Sequence, residues 1–286
     1  MLAALVLPSG DRHAPGPRGA TDLPTGSVAF RDGRVAVPGA DLHYVRGGHG
    51  PGVVLLPGFP ETWYAWRKVM GALARRYTVV AVDPPGVGAS SPARGSASAR
   101  ATAARIAALV ERLGLRRVTV VGHDLGGWTA YALARFHPSL VTRLAVLGAG
   151  LPGWGLERRR DFSRRPRPGN DLVARYLGPD RQPAATFDGG ALAEYLRAYA
   201  RPGRLRIALR PYRAFAADVA ANRGGRRLTL PVLVLDADTA EGRADATDVR
   251  RAAWRVEGGV VPGASHYLPE ERPRLVVDRL LSFLSR

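Results

Sequence analysis

Short, nearly continuous apolar runs alternate along this chain with longer stretches in which apolar residues recur every three to four positions. The first pattern predicts buried strands and the second helices, so their succession predicts an α/β protein with a mostly parallel sheet and helices on its faces. Val35 to Val37 and Leu42 to Arg46 read as an opening pair of strands. Val53 to Leu56 is a buried strand stopped by Pro57-Gly58, and Thr62 to Arg76 is a helix with Thr62 as its N-cap. Thr78 to Val82 is the next strand, broken by Asp83-Pro84-Pro85-Gly86. Arg100 to Leu113 is an alanine-rich helix closed by Gly114, where a left-handed residue ends a helix most easily. Arg117 to Val121, Trp128 to Phe136 and Leu144 to Leu147 continue as strand, helix and strand, the helix ending before Pro138. From Pro152 to Arg227 the strand pattern stops, and helical stretches appear at Leu172 to Leu177, Ala191 to Ala200 and Leu205 to Ala221. Strand character returns at Val232 to Leu235 and Val260-Val261, and Pro273 to Leu284 is a last helix. The expected organisation is a disordered or extended arm over residues 1–34, one core over 35–151 and 228–286, and a helical cap inserted at 152–227.

Composition narrows the chemistry. The 286 residues suffice for one large α/β domain, and the absence of cysteine excludes disulfides, thiolate nucleophiles and cysteine-ligated zinc. A formal charge of +18 would by itself suggest an anionic partner such as nucleic acid. Yet Lys68 is the single lysine, while arginine, alanine, glycine and proline abound, as GC-rich coding gives. Only Arg158, Arg159, Arg160, Arg164, Arg165 and Arg167 gather densely, and no nucleic-acid motif accompanies them, so no nucleic-acid partner is expected. No apolar run approaches the ~20 residues of a membrane helix. Leu2 to Leu7 is short and lacks a preceding basic stretch, so a cytoplasmic location is expected, with export through a truncated N-terminal signal as the alternative. Neither a metal-ligand cluster nor a dinucleotide or phosphate loop is evident; Gly86-Val87-Gly88 lacks the surrounding pattern, so no metal or cofactor is expected.

Three segments carry candidate chemistry. In Gly122-His123-Asp124-Leu125-Gly126-Gly127 a strand ends, a Gly-x-Asp-x-Gly turn follows and a helix begins, the arrangement of a nucleophile elbow. An ordinary N-cap aspartate would explain Asp124 alone, but not the flanking glycines. The apex side chain would stand above the sheet as nucleophile, with the Leu125 N–H beside it as an oxyanion donor. Pro57-Gly58-Phe59-Pro60-Glu61-Thr62-Trp63 also joins a strand to a helix and offers the Phe59 N–H as the second donor. His266, in the loop after the final strand, is the candidate general base, and its place last in the chain fits the order nucleophile, then histidine. His13, His43 and His49 have no such context, and His123 is read as a structural neighbour of the elbow.

The chain resembles the epoxide-hydrolase branch of the α/β-hydrolase superfamily. The resemblance rests on Gly58 to Trp63, on Asp83 to Ser90, on Gly122-His123-Asp124 and on Gly263 to Glu271. It implies an α/β-hydrolase fold with an inserted, shortened helical cap, and a small apolar organic substrate. It also implies two steps: Asp124 attacks an epoxide carbon to give an alkyl ester, and a water activated by His266 hydrolyses that ester to a diol. Family members supply the proton for the opening ring from cap tyrosines, and Arg210-Pro211-Tyr212-Arg213 resembles that motif, which makes Tyr212 the candidate.

Departures from the family pattern are visible too. Pro57 stands where the family usually has histidine, and the cap is arginine-rich after Trp154, with Tyr176 too weakly placed to carry over as a second oxygen ligand. The acid that should orient His266 is missing from its usual places, which fall at Gly148 and near Ala240. Asp238 is the candidate, with Glu241 close behind and Asp236 and Asp245 in the same acidic stretch. Leu125 and Phe59 stand where haloalkane dehalogenases use tryptophan and asparagine for halide, which lowers that reading. Two alternatives stay open: another hydrolase with an aspartate nucleophile, of the dehalogenase type, and a catalytically weakened relative that binds a ligand.

Overall fold

Residues 28–159, 172–178 and 186–286 are described by a computed structural model. Eight strands form one sheet: β1 Phe30–Val37, β2 Ala40–Gly47, β3 Gly52–Leu56, β4 Thr78–Val82, β5 Val118–His123, β6 Val141–Leu147, β7 Leu228–Ala237 and β8 Ala253–Val261. Their spatial order is β1-β2-β4-β3-β5-β6-β7-β8; β1 and β2 are antiparallel to their neighbours and the remaining pairs are parallel. Eleven α-helices occur among the described residues: α1 Arg67–Leu73, α2 Ala99–Arg112, α3 Leu125–Phe136, α4 Leu172–Leu177, α5 Gly189–Tyr199, α6 Arg204–Ala208, α7 Arg210–Arg213, α8 Phe215–Asn222, α9 Ala240–Ala252, α10 Leu268–Glu271 and α11 Pro273–Leu284.

The continuous apolar runs arise because the central strands are covered on both faces. Val54 and Leu56 of β3 point into one layer, with Ile106 of α2, Leu133 of α3 and Val249 of α9. Val53 and Leu55 point into the other, with Trp66, Met70 of α1 and Leu280 of α11. Alternation along each strand thus feeds two cores from one sequence run.

Several elements differ in extent from the sequence expectation. β1 begins at Phe30, inside the stretch read as arm; residues 1–27 lie outside the described residues. Thr62 does cap the turn that follows it, accepting from the Tyr64 N–H, but that turn is a 3-10 helix, Trp63–Trp66, before α1. The single helix expected over Leu205 to Ala221 is three, α6 to α8, with Pro211 in the first turn of α7. The acidic stretch after β7 is helical: Thr239 caps α9 through the Gly242 N–H. Between β6 and β7 the described residues form helices and no strand. Of the dense arginine cluster, Arg160, Arg164, Arg165 and Arg167 lie outside the described residues.

Candidate active site

Parallel strands deliver their C-terminal ends to one edge of the sheet, and loops there converge. β5 ends at His123 and α3 starts at Leu125, so Asp124 alone makes the turn, at φ 49° and ψ −119°. An L-residue with positive φ is strained, and the turn tolerates no side chain on either flank. A Cβ on Gly122 would lie 2.2 Å from the Gly126 carbonyl oxygen, and one on Gly126 would lie 2.2 Å from that of Leu56. The flanking glycines are therefore a packing requirement of the elbow.

The Phe59 N–H donates to Asp124 Oδ1 at 3.0 Å, and His266 Nε2 lies 3.7 Å from the other carboxylate oxygen. The side chains of Asp124 and His266 are 16% and 33% exposed, so neither is sealed in the core. Leu125 opens α3, and a first-turn N–H has no intrahelical acceptor. The 57–63 loop is held by Asp83, which accepts from the Trp63 N–H at 2.8 Å and the Ala89 N–H at 3.0 Å and pairs with buried His43 at 2.8 Å. Burial works against a charge on His43, but Asp83 and Asp32 raise its pKa overall. Its role is to join β2 to the loops beneath the site.

His123 does more than neighbour the elbow. Its ring and the Glu61 carboxylate are fully buried and meet at 2.7 Å, and its Nε2 is 2.9 Å from the His266 carbonyl oxygen. A carbonyl only accepts, so Nε2 carries a proton. Burial opposes charge on this ring, yet Glu61 and Asp124 outweigh it and push its pKa up to about 9. The buried His123–Glu61 pair therefore ties the 57–63 loop to the main chain of the candidate base.

The cap brings tyrosines down onto the oxyanion loop. Ring centroids of Tyr176, Tyr199 and Tyr212 lie 5.5, 5.5 and 6.2 Å from that of Phe59. Tyr199 is buried and donates to the Glu61 carbonyl, a structural use. Tyr176 and Tyr212 remain partly exposed. The sequence offered no ground for singling out Tyr176, because the pairing of α4 with Phe59 depends on how the cap folds. Beside Phe59 and Leu125 opens a cavity walled by Trp128 from the core and Ile207 and Pro211 from the cap. Among the described residues, Arg210 is its one charged lining residue, and it donates to the carbonyls of Ala93 and Gly95. The cavity therefore presents an apolar interior.

The carboxylates after β7 are spread out. Asp238 is ion-paired with Arg243 at 2.8 Å in a solvent-facing position, and it accepts weakly from the Gly263 N–H at 3.4 Å. Asp236 is buried, with Oδ1 on the Ala237 N–H. Asp245 is bound by Arg159 at 2.7 Å, and Glu241 lies in the first turn of α9.

The sheet order, the strained aspartate at the strand–helix elbow and the histidine after the last strand define an α/β-hydrolase, and the family model for the alpha/beta hydrolase fold matches residues 51–174. The chain belongs to this family, in its epoxide-hydrolase-like branch, and is a hydrolase by that membership. It is 32% identical over 281 residues to the soluble epoxide hydrolase of Corynebacterium sp. (strain C12), covering 87% of this chain and 95% of that one. It is 42% identical over 118 residues to a fluoroacetate dehalogenase of Burkholderia sp., covering 40% of this chain and 39% of that one. Among solved structures, Cfl2 of Burkholderia cenocepacia superposes with a TM-score of 0.79 at 34% identity, covering 89% of this chain and 95% of the other. The epoxide hydrolase CorEH superposes at 0.77 with 28% identity, covering 90% and 99%. No helix among the described residues is long and apolar enough to cross a membrane.

Proposed function

We propose that this enzyme opens epoxides of small apolar molecules to diols through an alkyl ester on Asp124. The observation that carries the proposal is the asymmetry of the Asp124 carboxylate: one oxygen accepts the Phe59 N–H, and the other faces His266. The second oxygen attacks the epoxide carbon and the C–O bond of the ring breaks. The resulting alkoxide takes the phenolic proton of Tyr212, with Tyr176 as a second hydrogen-bond donor from the cap. His266 then removes a proton from water, which adds to the ester carbonyl at Asp124 Cγ. That carbonyl oxygen is the one already on Phe59, so the oxyanion forms where the N–H groups of Phe59 and Leu125 can hold it. Collapse expels the diol oxygen, which takes the proton from the imidazolium and leaves Asp124 as the free acid; that acid proton returns through water to the Tyr212 phenolate, which restores both residues. The acid that orients His266 is proposed from the end of β7. Asp238 is favoured by its place beside the 263–264 turn, and Asp236 by burial.

The partial likeness to a fluoroacetate dehalogenase supports a second reading, displacement of halide by the same aspartate. The apolar cavity disfavours it for a haloacid, since Arg210 is committed to main-chain carbonyls and leaves a substrate carboxylate without a charge partner. The two readings separate in one assay, with styrene oxide, a 1,2-epoxyalkane and fluoroacetate offered to the wild type and to Asp124→Asn. Diol from the epoxides, none from the variant and no fluoride from fluoroacetate is the expected pattern. Fluoride release without diol would replace it with the dehalogenase.

A further inference from the structure

The loop that carries the candidate base is gripped by the carboxylate of Glu271, five residues further along the chain. Glu271 is the last residue of α10 and folds back over the start of its own helix. Its Oε2 accepts the Ser265 N–H at 2.8 Å, and its Oε1 accepts both the Tyr267 N–H at 2.7 Å and the Ser265 hydroxyl. These bonds bracket His266: the N–H before it and the N–H after it end on one carboxylate. The peptide carbonyl of His266 is held from the opposite side by His123 Nε2 at 2.9 Å and by the Leu268 N–H at 3.1 Å. The neighbouring Glu270 pulls α10 the other way, into a buried cluster with Arg67, Lys68 and Tyr195, so the helix itself is anchored. With both flanking peptides fixed, only the side-chain torsions of His266 remain to place Nε2 relative to Asp124.

We propose that Glu271 is a positioning residue for His266, setting the distance from its imidazole to the ester formed on Asp124. The proposal rests on the two-step reading given above. It differs from a plain helix cap in one consequence. Attack of Asp124 on the epoxide needs no proton transfer to His266, whereas hydrolysis of the ester does. A misplaced histidine therefore slows the second step alone, while a loosened fold slows both.

Single-turnover reactions with styrene oxide, quenched at intervals and read by intact mass, resolve the appearance and the decay of the alkyl-enzyme. Glu271→Ala is expected to slow decay by on the order of tenfold or more, since a misplacement near 1 Å has effects of that size, and to leave appearance within about twofold. Glu271→Gln, whose amide oxygen still accepts the Tyr267 N–H, is expected to fall between Ala and wild type and to keep the wild-type melting temperature closely. Wild-type decay in both variants would overturn the proposal. Equal slowing of appearance and decay in Glu271→Gln would overturn it as well, in favour of a structural cap. Absence of adduct in wild type and in His266→Gln alike would instead overturn the two-step reading, and the proposal with it.

Discussion

At Asp124 the backbone adopts a conformation that costs of order 1–3 kcal/mol for an L-residue, and the surrounding packing holds it there. That strain lifts the carboxylate off the sheet and turns one of its oxygens to Phe59. Burial opposes a charge on His123, and the neighbouring Glu61 and Asp124 carboxylates outweigh it and raise its pKa to about 9. Tyr212, set edge-on to both Phe59 and Trp128, is the proposed donor to the oxygen of the opening ring. Tyr212→Phe is accordingly expected to slow ester formation by about 10²-fold, the usual contribution of a positioned acid, with ester hydrolysis little changed. Rapid-quench measurement of the first turnover checks this. A wild-type rate of ester formation would move the proton donor to Tyr176, the other partly exposed tyrosine on Phe59.

Between elements, the join of cap to core offers a separate test. Asp218 of α8 is buried, and both its carboxylate oxygens accept the Ala99 N–H at the start of α2. Burial pushes its pKa up from 3.8 to about 6, against the pull of the Ala99 and Arg100 N–H groups. A carboxyl with a raised folded-state pKa stabilises the fold below its ordinary value, and that contribution is lost as pH rises through about 6. Asp218→Asn keeps an oxygen for the Ala99 N–H and carries no charge. It is expected to stabilise the protein by about 1–3 kcal/mol at pH 8, with the gain fading below about pH 5. Denaturant unfolding at the two pH values measures it, and an Asn variant less stable than wild type at pH 8 would contradict the assignment.

Sequence patterns located the elements whose burial is one-sided or complete, and missed those shaped by other forces. Thr78–Val82 and Pro273–Leu284 have the bounds the pattern predicted, because every apolar position there meets a core. α9 escaped notice since its buried face is made of alanines, Val249, Asp245 and Asp248, not of large aliphatic side chains. β8 starts seven residues before Val260 because Trp254 to Gly259 lie on an edge strand, where polar residues and glycine are tolerated. In the site, Asp124, Phe59, Leu125 and His266 could be read from turn chemistry and chain order. Tyr176 could not, nor could the links of His123 to His266 and of Glu271 to its neighbours, since each depends on a tertiary meeting that no local pattern encodes.

At the scale of the whole molecule, the formal charge is +18. Arg34 with Asp41, Arg197 with Glu194 and Arg286 with Glu257 are solvent-exposed pairs, each worth about 0–1 kcal/mol. Among the described residues the cavity walls are apolar except for Arg210, which is engaged by main-chain carbonyls. Sheet, elbow, oxyanion loop, histidine loop and cap meet at one carboxylate, and the account stands or falls on that carboxylate becoming an ester. The most direct measurement is the intact mass of His266→Gln after incubation with styrene oxide, beside His266→Gln carrying Asp124→Asn as well. The account predicts an adduct of one substrate mass that persists in the single variant and is absent from the double. Diol released by the single variant at the wild-type rate, or an adduct that survives loss of Asp124, would contradict it.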